Sequence, residues 1–97
     1  FYFAASNVTL PLDLLTFTGA LQSNNTTLLK WKTENEINAS HFVIERSGDG
    51  NNYTGIGSVT AVGNSINVSN YTFTDHNVGS QPSLVVYYRL KIVDING

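Results

Sequence analysis

The sequence predicts a single all-β domain, a Greek-key sandwich of six or seven short strands. Its 97 residues are enough for one two-layer core but not for two. Twelve Asn and nineteen Ser or Thr residues favour turns and strands, because their side chains compete for the backbone hydrogen bonds of a helix. Turn signals recur about every ten residues, and no segment has helical periodicity.

Six predicted strands follow one another along the chain: Leu12–Thr18, Thr26–Thr33, His41–Ser47, Tyr53–Val62, Ser69–Thr74 and Leu84–Val93. The first follows Pro11, and it suits the edge of a sheet because proline lacks the donor that a central strand requires. The second alternates polar and apolar residues, which is expected to place Trp31 in the core. The third is expected to turn Phe42 and Ile44 inward and to leave Arg46 at the surface.

Turn residues and alternation also define the last three strands. The pair Asp49–Gly50 accepts the positive φ angles of a tight hairpin, so the third and fourth strands should pair. In the fourth strand, Gly55 and Gly57 predict a bulge or a close backbone approach. The fifth strand is expected to turn Tyr71 and Phe73 inward. The sixth alternates most clearly and is expected to lie in the centre of a sheet.

The composition argues against several classes of function. Five Lys or Arg residues and a net charge of −2 provide no basic stripe for nucleic acid or for an anionic membrane surface. The absence of cysteine excludes disulfides and thiolate metal sites. No apolar run reaches the roughly 18 residues of a membrane-spanning helix. We therefore expect neither a nucleic-acid partner nor a membrane span.

No pattern of residues predicts catalysis, a metal site or a cofactor. His41 and His76 are far apart in the sequence, and nothing in their spacing brings them into one pocket. No serine lies in a G-x-S-x-G or S-x-x-K motif. The segment 94–97 (DING) begins like a calcium loop, but a turn is the favoured interpretation because the later oxygen ligands do not follow. The segment 34–36 is expected to be a solvated loop. The chain is therefore not expected to be an enzyme.

Asparagine sequons are unusually dense, and their glycosylation would depend on the host. The seven asparagines are Asn7, Asn24, Asn25, Asn38, Asn52, Asn67 and Asn70. We interpret them as the consequence of a composition that favours turns and strands.

Several segments together resemble a fibronectin type III-like module of secreted Bacteroidetes proteins, which often precedes a type IX secretion sorting domain. The segments are LPLDLLTFTG, LLKWKTENE, HFVIERSGDG, YTGIG, YTFTD and YYRLKIVD, and the resemblance covers Leu10–Gly97. It implies an immunoglobulin-like or fibronectin III-like sandwich, an extracellular or cell-surface location and a non-enzymatic role. It also implies that Tyr88 is the corner tyrosine, whose hydroxyl ties back to the backbone of the preceding loop.

The two ends of the chain differ from that family. Its members continue past the turn at 93–97 into a final strand G, so this sandwich is expected to lack its last strand. Residues 1–9 precede the matched region and begin with apolar side chains. We therefore expect an N-terminal extension at residues 1–9 and a sandwich at residues 10–97.

These features predict a structural or adhesive module that assembles with copies of itself into a filament. The N-terminal extension of one subunit would fill a groove beside the last strand of the next, as in donor-strand complementation. The groove would follow Tyr88, Leu90 and Ile92. The inserted residues would be Phe1, Tyr2, Phe3, Ala4 and Ala5.

The alternative is a spacer or a carbohydrate-binding module cut from a larger secreted protein. In that interpretation, Tyr53 and Tyr87 are exposed and stack on surface glycans. Residues 1–9 then fold onto their own sandwich.

Overall fold

The computed structural model describes residues 11–22, 25–76 and 85–96, and within these ranges it contains six strands and no helix. The strands are β1 (Asp13–Leu21), β2 (Thr27–Glu34), β3 (Ala39–Ser47), β4 (Thr54–Thr60), β5 (Ser69–Asp75) and β6 (Tyr87–Asp94). The all-β prediction is confirmed. The largest differences at strand ends are in β1, which continues past Gly19, and in β6, which begins later than predicted.

The strands form two antiparallel sheets of three strands each. The first sheet has the order β1-β2-β5 and the second has the order β4-β3-β6. Two hairpins, β1–β2 and β3–β4, pair neighbours in sequence, whereas β2 pairs with β5 and β3 pairs with β6 across longer connections. The two sheets pack as a sandwich, consistent with an immunoglobulin-like or fibronectin III-like fold.

An aromatic cluster fills the space between the two middle strands. The ring of Trp31 in β2 stacks on Tyr71 of β5, with ring centres 5.7 Å apart, and meets Phe42 of β3 edge-on at 5.5 Å. Phe17 of β1 approaches the same indole edge-on at 6.3 Å. Such ring pairs contribute about 0.5–1.5 kcal/mol each beyond the area that they bury. The predicted core positions Trp31, Phe42 and Ile44 are all buried.

A glycine brings the two sheets together on one side of the sandwich. The ring of Phe73 in β5 lies against Gly57 in β4, so close that a Cβ at Gly57 would be 2.5 Å from the ring. The β3–β4 register shifts between Gly55 and Gly57, which leaves one extra residue in β4. Both the bulge and the close approach expected at these glycines are therefore found.

The opposite side of the sandwich, between β1 and β6, has no hydrogen-bonded pair among the described residues. Here β1 pairs only with β2, and β6 pairs only with β3. The prediction that the sixth strand is central is therefore wrong for the described part of the chain, in which β6 is an edge strand. The other edge at this side, β1, is irregular because Leu15 is an extra residue between Leu14 and Thr16.

Candidate strand-addition site at the sandwich edge

The outer edge of β6, which pairs with β3 alone among the described residues, is the candidate functional site. In an antiparallel pair, every second residue directs its N–H and C=O groups away from the partner strand. Because β6 has eight residues and pairs with β3 alone in the described ranges, about half of its residues present these groups to the β1 side. Such an edge is a template for another strand.

The predicted groove residues lie on the inner face of β6. Tyr88, Leu90 and Ile92 are buried in the core, whereas Lys91 on the outer face is exposed. These side chains are already covered within the sandwich. An added strand would therefore gain mainly backbone hydrogen bonds. The predicted donor residues, Phe1–Ala5, lie outside the described residues.

A hollow of about 560 Å³ opens where the start of β1 approaches the end of β6. Leu12 and Asp13 line it from the β1 side, and Asp94 and Asn96 line it from the β6 side. The backbone N–H of Asn96 donates to Asp94 Oδ1 at 2.9 Å, which forms the turn expected in this segment. The hollow shows that the two edges are separated at this end.

Tyr88 fixes the start of β6 to the first sheet through a buried carboxylate. Its hydroxyl donates to Asp75 Oδ2 at 2.8 Å, and Arg46 Nη1 donates to both oxygens of Asp75 at 2.7 and 2.8 Å. Burial and the bond to Asp75, partly offset by a bond with Thr27, raise the pKa of Tyr88 to about 12.

This cluster corrects the expectation for Arg46. Arg46 is not a free surface residue, since its side chain is only 16% exposed and pairs with Asp75, which is 2% exposed. The proton of the Tyr88 hydroxyl goes to a side chain of the other sheet, and a bond between this hydroxyl and the backbone of the preceding loop stays a prediction. Most of that loop, residues 77–84, lies outside the described residues.

Glu36 orders the end of the sandwich where the hollow opens. Although it lies in the segment expected to be a solvated loop, Glu36 is only 2% exposed, so that expectation is wrong for Glu36. Its carboxylate accepts hydrogen bonds from Thr33 Oγ1 at 2.5 Å, from the Tyr71 hydroxyl at 2.5 Å and from the Gly63 N–H at 2.8 Å. Burial alone would raise the pKa of Glu36, but these three bonds outweigh it and lower the pKa.

A sequence signal for this inward turn does exist in the neighbouring asparagines. Asn35 and Asn38 have φ angles of 56° and 52°, in the left-handed region that asparagine tolerates better than most residues. Two asparagines around Glu36 therefore allow a tight loop that turns the carboxylate inward. Thr33 is three residues away, but Gly63 and Tyr71 are 27 and 35 positions away, and no local pattern predicts that they meet Glu36.

The two tyrosines of the carbohydrate-binding alternative are partly covered. Both are half-buried, so the expectation that they are exposed is wrong. The guanidinium of Arg89 lies 4.0 Å from the ring centre of Tyr53 and also pairs with Glu45 at 2.6 Å. The ring of Tyr87 packs against Gly50. Each ring therefore has a face occupied by the protein itself.

The remaining predicted positions do not converge on a site. His41 lies in β3 with Nδ1 2.8 Å from Ser40 Oγ, and His76 is exposed after β5. Within residues 11–22, 25–76 and 85–96, no group of three or more His, Asp or Glu side chains is placed to hold a metal ion. No helix in the same ranges is long and apolar enough to cross a membrane.

Five sequon asparagines fall in the described residues, and all five are exposed: Asn25, Asn38, Asn52, Asn67 and Asn70. Asn7 and Asn24 lie outside those residues. Exposure alone does not distinguish a glycosylated surface from an unmodified one. The interpretation of the sequons as a consequence of composition therefore stays a prediction.

No family model, curated protein or solved structure matches the chain. The resemblance to the fibronectin III-like secreted module therefore stays a prediction. The features that bear on function are the sandwich and the edge of β6, which pairs with β3 alone among the described residues.

Proposed function

We propose that this chain is a non-catalytic, extracellular structural or adhesive module that joins to copies of itself by strand addition at β6. The observation that supports the proposal is the edge of β6, a strand whose inner face is buried and which lies at the end of its sheet, paired with β3 alone among the described strands. Proteins usually cover or interrupt such edges, because an open one pairs with other chains. The extracellular and non-catalytic parts of the proposal rest on the resemblance to secreted modules.

The regularity of the edge favours β6 over the other three edge strands. The extra residue Leu15 interrupts β1, and the shift beside Gly55 interrupts β4. Phe73 of β5 packs against Gly57 of β4 on the side of the sandwich opposite β1 and β6. The single irregularity in the pairing of β6 is an extra residue in its partner β3. An incoming strand therefore meets the fewest obstacles at β6.

The proposed donor is the segment 1–9 of a second copy. This segment has no charged side chain and contains three aromatic residues, so little desolvation opposes its insertion. At roughly 3.3 Å per residue, nine residues span about 30 Å and eight residues span about 26 Å, so the donor can cover the whole of β6. Half-buried Leu14 and Phe17 on β1 border the same side and would contact its side chains.

The register of the donor decides which side chains enter. Phe1, Phe3 and Ala5 point to one face of the added strand, and Tyr2 and Ala4 point to the other. In either register the contact is head-to-tail, because the donor of one subunit occupies the edge of the next. Such contacts propagate into a filament unless the rotation between subunits closes a ring.

The test compares the full chain with a version that begins at residue 10. Negative-stain electron microscopy and light scattering after size exclusion should show polymers of the full chain and monomers of the shortened one. A peptide of residues 1–9 should cap the full chain and shorten the polymers, whereas a scrambled peptide should not. Monomers of both proteins would contradict the proposal and leave the spacer interpretation.

A further inference from the structure

Exposed aliphatic side chains gather at one end of the sandwich. This loop end consists of residues 11–13, 34–40, 61–68 and 94–96, which lie at the start of β1 and β5 and at the end of β2, β4 and β6. Its exposed aliphatic residues are Ile37 at 66%, Val62 at 64%, Ile66 at 81%, Val68 at 47% and Ile95 at 63%. Only three other large hydrophobic residues of the described ranges are comparably exposed. Single exposed apolar side chains are ordinary, but a group of them marks an interaction surface.

Hydrogen bonds join the segments of the loop end into one surface. The N–H of Ser65 donates to the carbonyl of Glu36 at 3.0 Å, and the N–H of Ile95 donates to the carbonyl of Asn38 at 3.0 Å. Ile37 and Ile66 line one hollow of about 450 Å³. Ile37 also lines the hollow of about 560 Å³ between β1 and β6. Its side chain therefore stands between two recesses that a partner can enter.

Hydrogen bonds between the loop end and the sandwich beneath it hold the loop end in place. The carboxylate of Glu36 binds Thr33, Tyr71 and the Gly63 backbone, and the N–H of Ala39 donates to the Gly63 carbonyl at 3.0 Å. A surface fixed in this way loses little conformational entropy when a partner binds. The anchoring distinguishes the loop end from an ordinary solvated loop.

The charge of the loop end indicates what kind of partner fits. Its four ranges contain Asp13, Glu34, Glu36 and Asp94, but no Lys, Arg or His. Glu36 is buried, whereas the other three carboxylates are exposed or half-buried, and Asp13 and Asp94 line the same hollow as Ile37. Two copies that met through this end would bring like charges together, which disfavours a symmetric dimer.

We propose that the loop end docks a protein surface with an apolar centre bordered by Lys or Arg side chains. The apolar centre would cover Ile37 and Ile66, and the basic border would face Asp13, Glu34 and Asp94. The inference does not depend on strand addition at β6, since it holds equally for a monomer. The two sites share Asp94 and the hollow between β1 and β6.

The test uses a defined probe, a short synthetic peptide in which Leu and Lys alternate. Amide chemical shifts of the full chain are measured by NMR during titration, with a matched Leu and Glu peptide as the control. We expect shifts at 35–38, 63–67 and 94–96 with the basic peptide only, weakened by added salt. Ile37→Ser and Ile66→Ser should each weaken binding by about tenfold or more. Val85→Ser is the matched control, because Val85 is 54% exposed at the other end of the sandwich.

Several results would overturn the proposal. It fails if the basic peptide causes no shifts, if the shifts lie along β6 or another face, or if the acidic peptide binds equally. It also fails if the Ile and Val variants lose affinity to the same extent. Shifts that appear only in a chain beginning at residue 10 would show that the chain's own N-terminal segment covers the loop end. A dimer abolished by Ile66→Ser would identify a second copy as the occupant instead.

Discussion

Replacing Gly57 with Ala should destabilise the sandwich, because this glycine lets the two sheets meet. A Cβ at Gly57 would lie 2.5 Å from Cε1 and 2.6 Å from Cζ of Phe73. Carbon atoms in favourable contact are about 3.5–4.0 Å apart, so the ring or the strand must move by about 1 Å or more. Overpacking of this kind costs about 1–3 kcal/mol of unfolding free energy. In a domain of this size, each kcal/mol corresponds to a fall in Tm of about 4–8 °C.

Gly55→Ala is the matched control, since it makes the same change in the same strand. A Cβ at Gly55 would lie 3.5 Å from Val43 Cγ1, an ordinary contact, and the backbone there is not left-handed. Its expected effect is neutral to about 1 kcal/mol stabilising, because alanine restricts the unfolded chain. Urea unfolding, followed by the fluorescence of the single, buried Trp31, measures both variants.

A double-mutant cycle separates the clash from other effects of the substitution. In a Phe73→Ala background the ring is absent, so Gly57→Ala should cost little. A clash with Phe73 is excluded as the cause if Gly57→Ala is as stable as the parent, if Gly55→Ala lowers the stability equally, or if the loss persists without the ring.

Three further predictions concern the buried polar clusters. Glu36→Gln should lower the free energy of unfolding by about 1–3 kcal/mol near pH 7, because it replaces a buried carboxylate that accepts three hydrogen bonds. The pKa of Glu36 is lowered from its usual value near 4.5, so the difference between parent and variant should shrink as the pH falls below 4.5. Urea midpoints from pH 7 to pH 3 measure this difference. Arg46→Met should lower the free energy of unfolding by about 3–5 kcal/mol, because it leaves the Asp75 carboxylate buried without its cation. Lys91→Met is the control, since Lys91 is exposed, and it should change the free energy of unfolding by less than about 0.5 kcal/mol. Tyr88→Phe should cost about 1 kcal/mol at pH 7. Because the pKa of Tyr88 is raised from 10 to about 12, the parent loses this stabilisation as the pH rises from 10 through 12, so parent and variant should converge there in alkaline denaturation.

Side-chain alternation predicted the strands and their inward faces well. Thr27, Leu29 and Trp31 are all buried, as the pattern of β2 indicates, and Lys30 and Lys32 are exposed. Alternation works here because successive side chains of a strand point to opposite faces, so it depends on local order alone. The roles of Gly55 and Gly57 were predictable for a similar reason, since a glycine within a strand is costly unless the backbone requires it.

Contacts between distant parts of the chain were not predictable in this way. The sixth strand has the clearest alternation, yet in the described residues it lies at an edge, because strand order depends on which other strands are present to pair. The sequence predicts a solvated Glu36, but two of the three donors to its carboxylate, Gly63 and Tyr71, are 27 and 35 positions away. Alternation puts Arg46 on the same face of β3 as Phe42 and Ile44. A buried charge needs a partner, however, and Asp75 lies 29 positions away in the other sheet, so the sequence does not reveal the pair.

Hydrogen exchange of β6 is the most direct test of strand addition. The protein is the chain that begins at residue 10, and the ligand is a peptide of residues 1–9, with a scrambled peptide as the control. We expect the native peptide to slow exchange at alternate amides between Tyr87 and Asp94, while the amides of β5 keep their rates. Unchanged rates along β6 with saturating peptide, or equal protection by the scrambled peptide, would contradict it.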